Sequence, residues 1–313
     1  MTAVTKPGVY DMSAEDYHAD PCPVPSLSAS VAKILIAQTP RHAWTAHPRL
    51  NPDFQREEDG AFDLGNAAHS LMLGDPKKFA IVDFDDWRTK DAKSAREKAR
   101  ADGRIPMLAK HWTRVNRMVE VGRMQLAGHD DAFDAFTNGK PEQTLVWEEH
   151  GTWFRVRLDW LPDDRTKCFD DFKSTGSADP DAFQRVAYSV GHDVQAALYR
   201  RGIRAVFGIE KPRIRFIVQE IEEPFALSSI RLNDEAMDLG DYKVDKAVSR
   251  WRWCMNHGAW PAYPAVTCTI GPPAWHEGQV LAREEADAAI ARQAGMKPGA
   301  DLLELALKFQ API

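Results

Sequence analysis

The chain has 313 residues, 44% of them hydrophobic and 27% charged, which is enough apolar material for a sizeable core in an ordinary globular protein. Its 46 acidic and 40 basic residues give a formal charge of −6; this argues against a nonspecific DNA-coating protein, which would normally be basic, and for confining any DNA contact to a groove or central passage. No apolar run approaches the roughly 20 residues of a membrane helix. The start, Met1 to Lys6, has no signal-peptide core, so a cytoplasmic location without membrane contact is expected.

Residues 1–25 are Pro-punctuated and read as irregular. Ser26-Leu27-Ser28-Ala29-Ser30 supplies N-caps for a short helix to about Ala37, and Pro40 opens another through His47. A polar loop follows at 51–59. Ala61 to Leu73 reads as a helix with Phe62, Leu64, Ala68, Leu71 and Met72 on its apolar side. Residues 91–101 and 106–127 are charged and helix-favouring, and suggest a helical insertion on the surface.

The pattern then turns from helical to alternating. Thr144 to Glu148 reads as a strand and His150-Gly151-Thr152 as a turn. Phe154, Val156, Leu158 and Trp160 alternate with Arg155, Arg157 and Asp159, so period two sends the first set to the core and the second to the other face. After a turn at Pro162-Asp163-Asp164, Cys168 to Lys173 forms the next strand. Helices are expected at 179–190 and 193–206, strands at 213–219 and 225–232, a long helix at about 234–256 and a final one near 284–293. The order describes one α/β domain around a mixed central sheet flanked by helices. Its parts are a mainly helical N-terminal region (1–140), a catalytic α/β core (141–232) and C-terminal helices and tail (233–313). The four cysteines, Cys22, Cys168, Cys254 and Cys268, lack C-x-x-C spacing and read as buried free thiols.

Asp159 and Asp171 fall on neighbouring strands joined by a short turn, so their carboxylates can converge on one divalent cation. Lys173 is two residues from Asp171 and shares its face, where an ammonium can orient a water or stabilise developing charge. By itself this spacing is also what two acidic strand ends with a surface ion pair would show. Gln195 and Tyr199 share one helix face at i and i+4, beside Arg200 and Arg201, and can hydrogen-bond a phosphate or base. His69 follows small residues on an otherwise apolar helix and could complete a metal shell. Glu142, entering the strand before Asp159, could hold a second metal or its water.

Together these residues resemble the PD-(D/E)xK nuclease superfamily, and within it the RecE-type (exodeoxyribonuclease VIII-like) phage and prophage exonucleases. The matching pieces are Ser26 to Ser30, Phe62 to His69, Pro141-Glu142-Gln143, Arg155 to Asp159, Asp171 to Thr175 and His192 to Tyr199. The resemblance implies a restriction-endonuclease-like core in which His69, Asp159, Asp171 and the main-chain carbonyl of Phe172 bind Mg²⁺, with Mn²⁺ as a substitute. It also implies that Lys173 activates the attacking water, supported by Glu142, and that Gln195 and Tyr199 hold the DNA strand. Ser28 and Ser30 would bind the terminal phosphate. Asp-Phe-Lys stands where much of the superfamily has Glu-x-Lys, a substitution the RecE-type branch accepts.

The implied activity is Mg²⁺-dependent 5′→3′ digestion of linear duplex DNA by a ring-shaped homo-oligomer, leaving a 3′ tail for a RecT-type annealing protein in recombination. The same residues also suit a structure-specific nuclease or endonuclease, or an inactive DNA-end-binding subunit. No G-x-x-x-x-G-K-[ST] occurs, so no ATP-driven motor is expected in the chain.

Overall fold

Proline, glycine and short polar side chains punctuate the chain into alternating helices and strands, and the computed structural model describes them over residues 4–55, 64–74 and 79–297. In order they are β1 (Gly8–Tyr10), α1 (Ala14–His18), β2 (Leu27–Ser28), α2 (Ala29–Ala37), α3 (Pro40–Thr45), α4 (Leu64–Met72), β3 (Phe79–Val82), α5 (Lys90–Ala101), β4 (Ile105–Leu108) and α6 (Ala109–Ala127). There follow β5 (Gly139–Glu149), β6 (Thr152–Pro162), β7 (Phe169–Thr175), α7 (Pro180–Ser189), α8 (His192–Phe207), β8 (Ile214–Glu220), β9 (Leu227–Ile230), α9 (Asp234–His257) and α10 (Ala274–Gln293). The chain groups into two units, Met1–Tyr263 and Pro264–Ile313, a division inside the region read as C-terminal helices and tail.

The expected mixed α/β arrangement of sheet flanked by helices is present, with its backbone pairing divided into three groups. One sheet has the order β1-β5-β6-β2 and another β7-β8-β9, with β3-β4 as a separate pair. Both larger sheets are mixed: β2 runs parallel to β6 and β7 parallel to β8, while β1-β5, β5-β6 and β8-β9 are antiparallel. The β5–β6 hairpin turns on His150 and Gly151, both at positive φ (49° and 79°), the backbone of a type I′ turn.

Phe169, Phe216 and Val218 face a core closed by α2, α7, α8 and α9, whereas Phe172 and Ile217 face a second core closed by α4 and α6. Phe154, Val156, Leu158 and Trp160 are all buried, as their alternation requires. The ring of Trp147 stacks on Phe154 (centroids 5.1 Å), and Gly202 of α8 lies so close that a Cβ there would stand 2.7 Å from Trp147.

Several expectations need correction. Residues 1–25 are not wholly irregular, because β1 adds to the sheet edge and Ser13 caps α1. The stretch read as a surface insertion contributes to the core, since α6 buries Val115, Met118, Val119 and Leu126, an apolar stripe that its charged residues mask. Cys268 is exposed, unlike the other three cysteines, on an extended Pro-rich stretch. Helix α10 begins about ten residues before the expected start. Phe62 and Asp63 lie outside the described residues.

Candidate active site

The site forms where β6 and β7 run side by side without pairing. Instead of a ladder bond, the Asp159 carboxylate spans the gap: its Oδ2 accepts the Phe172 N–H at 2.9 Å. The same oxygen lies 3.1 Å from His69 Nε2, delivered by α4. In an extended strand the N–H and C=O of one residue point to the same edge, so the Phe172 carbonyl also faces β6. Alternation along β7 puts Asp171 and Lys173 on one face, where Lys173 Nζ ion-pairs with Asp171 Oδ2. The opposite face carries Asp170, which takes a bidentate grip from Arg215 (2.6 and 3.1 Å) and is structural. His69, Asp159, Asp171, Lys173 and the Phe172 backbone therefore lie together at this gap.

The electrostatics follow from burial and proximity. Burial pushes the Asp171 carboxyl up, the nearby Asp159 charge adds to this, and Lys173 only partly offsets them, leaving it at about 6. Burial would raise Asp159 too, but His69, Lys173 and the Phe172 N–H outweigh it and hold it down at about 2. Burial opposes charge on His69 and on Lys173; the carboxylates overcome it in both, Asp159 foremost for the histidine and Asp171 for the lysine, and raise both groups above their ordinary values.

Glu142 stands opposite Asp159 in the β5–β6 register, between the pairs Pro141↔Trp160 and Gln143↔Leu158. Its φ of 52° is a strained conformation for a side-chain-bearing residue and interrupts the strand at this point. Its Oε2 pairs with Arg157 Nη2 at 2.7 Å. Gln195 and Tyr199, on one face of α8, reach Asp171: Gln195 Nε2 donates to Oδ1 at 3.0 Å, and the Tyr199 hydroxyl lies 3.3 Å from the same oxygen. That hydroxyl donates to the Arg157 carbonyl at 2.6 Å and accepts from Gln195 at 2.9 Å. Tyr199 is only 4% exposed, so its contacts are with the protein.

Ser28 is buried and caps α2, its Oγ accepting the Val31 N–H at 3.3 Å, while Ser30 is exposed in the first turn. The approach to this helix is braced by a buried polar cluster. Asp20 accepts from Ser26 N and Oγ (2.9 and 2.7 Å), lies 3.3 Å from His47 Nε2, and pairs with Arg155 at 3.0 Å. Arg155 faces the same way as Arg157 and Asp159, as alternation predicts, but is buried as a structural ion. One site residue escaped the sequence reading: Lys33 of α2 reaches Gln195 Oε1 at 3.4 Å. Its signal was available, because it is the only charged residue in Ala-Ser-Val-Ala-Lys-Ile-Leu-Ile-Ala.

Among the described residues no three His, Cys, Asp or Glu side chains stand as a ready metal shell, since His69 contacts Asp159 and Lys173 holds Asp171. The donor set nevertheless fits a hard divalent cation. The Asp159 and Asp171 carboxylates repel across the gap, a repulsion that a cation held between them would relieve.

Residues 28–270 match the family described as "PDDEXK-like domain of unknown function (DUF3799)". No curated protein matches the chain. Among solved structures it is similar to a candidate exonuclease from Eubacterium rectale, with a TM-score of 0.54 and 13% identity over 84% of this chain and 96% of that one. It is also similar to a phage-related exonuclease from Haemophilus somnus 129PT, at 17% identity over 61% of this chain and 95% of that one, with a TM-score of 0.27. At such identities the first likeness speaks for the fold. The family match spans well over half of the chain and includes His69, Asp159, Asp171 and Lys173, so the chain belongs to the PDDEXK-like family DUF3799.

Proposed function

We propose that this chain is a Mg²⁺-dependent exodeoxyribonuclease that digests linear double-stranded DNA 5′→3′ and leaves a 3′ single-stranded tail. The observation that carries the reading is the convergence of His69, Asp159, Asp171 and Lys173 at the gap between β6 and β7. Membership of a PDDEXK-like family supports it. His69, Asp159, Asp171 and the Phe172 carbonyl would hold Mg²⁺, or Mn²⁺ in its place. Such an ion, when bound, polarises a phosphate and makes a water acidic enough to attack it.

The chain's own groups do the remaining work. Lys173 keeps its proton at neutral pH and presents positive charge where an attacking water and a pentacovalent phosphate would meet. Gln195 and Tyr199 fix the orientation of Asp171, and Arg157 holds Glu142 beside Asp159. Ser30, exposed in the first turn of α2, would receive a terminal phosphate, with Ser28 capping the helix behind it. The acidic total charge suits a ring-shaped homo-oligomer with DNA in its lumen, acting in the cytoplasm with a RecT-type annealing protein in phage-type recombination.

The test is digestion of duplex DNA labelled separately at its 5′ and 3′ ends, with and without Mg²⁺, beside a covalently closed circle. Early Mg²⁺-dependent release of the 5′ label with the circle intact is the expected result. A cut circle would instead make it an endonuclease of the same superfamily, and absence of any release would leave a DNA-end-binding subunit.

A further inference from the structure

Lys33 differs from the other basic groups around the site. Lys173 has Asp171, Arg157 has Glu142 and Arg201 has Glu149, whereas no carboxylate among the described residues lies within ion-pairing distance of the Lys33 ammonium. Its hydrogen bond is a long one, 3.4 Å to a neutral amide oxygen. The side chain is partly buried and is held in this direction by packing. Gly191, at φ 74°, lies under its stem, and a Cβ at that position would stand 3.1 Å from Lys33 Cγ and 3.3 Å from Cδ. A cation placed this way, within electrostatic reach of the Lys173 ammonium and with no carboxylate of its own among the described residues, is costly unless an anion completes it. Burial and the charge of Lys173 depress its pKa to about 8, with Asp171 and Asp193 pulling weakly the other way.

We propose that Lys33 binds a non-bridging oxygen of the DNA phosphate lying against Lys173, so that two ammonium groups rather than one grip the strand being cut. The inference rests on the nuclease reading and adds a substrate contact to it. A phosphodiester suits the arrangement because it presents two non-bridging oxygens to two point charges. Gln195 has a distinct part in this geometry: its Nε2 holds Asp171 while its Oε1 holds Lys33, so one amide joins the acidic and basic sides of the site.

The experiment compares the full-length wild type with Lys33→Gln and Lys33→Arg on a 5′-phosphorylated linear duplex at fixed Mg²⁺, with KCl varied. Lys33→Gln should raise KM about tenfold and lower the slope of log(kcat/KM) against log[KCl] by about 0.9, the change for one phosphate contact. Lys33→Arg should restore most of both. The melting temperature of Lys33→Gln should be no lower than that of the wild type, because an unpaired ammonium has been removed. Wild-type KM and salt slope in Lys33→Gln, while the wild type digests the duplex, would overturn this proposal alone. So would a fall in melting temperature with kcat lost in both variants, the signature of a structural lysine. Failure of the wild type to digest the duplex at all would overturn the nuclease reading, and this contact with it.

Discussion

Replacing Tyr199 by phenylalanine removes one oxygen and separates two roles that its helix position allows. The hydroxyl lies 2.6 Å from the Arg157 carbonyl, 2.9 Å from Gln195 Nε2 and 3.3 Å from Asp171 Oδ1, in a side chain 4% exposed. Tyr199→Phe keeps the ring in the core but leaves a carbonyl and an amide N–H short of a partner, at a cost of about 1–3 kcal/mol. For a domain of this size that lowers Tm by roughly 2–4 °C per kcal/mol. Asp171 would lose one of the neighbours that orient it, and misplacing a reacting group can cost up to about 10²-fold. A positioning tyrosine therefore predicts a fall in kcat with KM within about twofold. The assay is steady-state digestion of linear duplex with a parallel thermal melt. A rise in KM at unchanged kcat would refute the argument and return Tyr199 to direct DNA holding; no change in kcat, KM or Tm would deny it both roles.

Lys173→Ala and Asp171→Ala should each lower Mg²⁺-dependent digestion by at least about 10²-fold while circular dichroism still reports a folded chain, because Lys173 meets developing charge and Asp171 would hold the cation, and neither side chain fills the apolar core. Asp20→Asn should cost about 3–5 kcal/mol in urea unfolding, since it leaves the buried Arg155 guanidinium without its counter-charge. The same pair sets an acid limb. Burial pushes Asp20 up, but His47, Arg155 and Ser26 together hold it below its ordinary 3.8, so its stabilisation is complete above that value and lost as pH falls through the folded one. Below about pH 4 the wild type should therefore lose stability faster than Asp20→Asn, and parallel curves would contradict this. Gly240→Ala should destabilise by about 1–3 kcal/mol, because its Cβ would stand 2.6 Å from the Asp193 carbonyl and force α8 and α9 apart.

Much of this architecture is legible in the chain because it depends on local periodicity. The alternation from Phe154 to Trp160 placed four side chains in the core, and the two-residue step from Asp171 to Lys173 put both on one face. Helix α2 could be read from its serine cap and α8 from its helical pattern, which in turn set Gln195 and Tyr199 on one face. Where local pattern was weak the reading failed: β3 and β4 are four-residue strands at the flanks of a charged helix, and the apolar stripe of α6 is diluted by Arg, Glu and Asn. Residues 8–10 become a strand only because β5 offers them an edge.

Strand and helix periods act over a few residues, so the order of the amino acids is enough to say which of them share a face of one element, the acid-x-lysine pair of Asp171 and Lys173 included. Tertiary structure alone decided how elements distant in the chain meet. The gap that Asp159 spans to Phe172, the approach of His69 from α4, the inward turn of Tyr199 and the unpaired charge of Lys33 all depend on it. Each depends on packing between segments 30 to 160 or so residues apart or, for Asp159, on two sheets failing to join, and no local period carries that information.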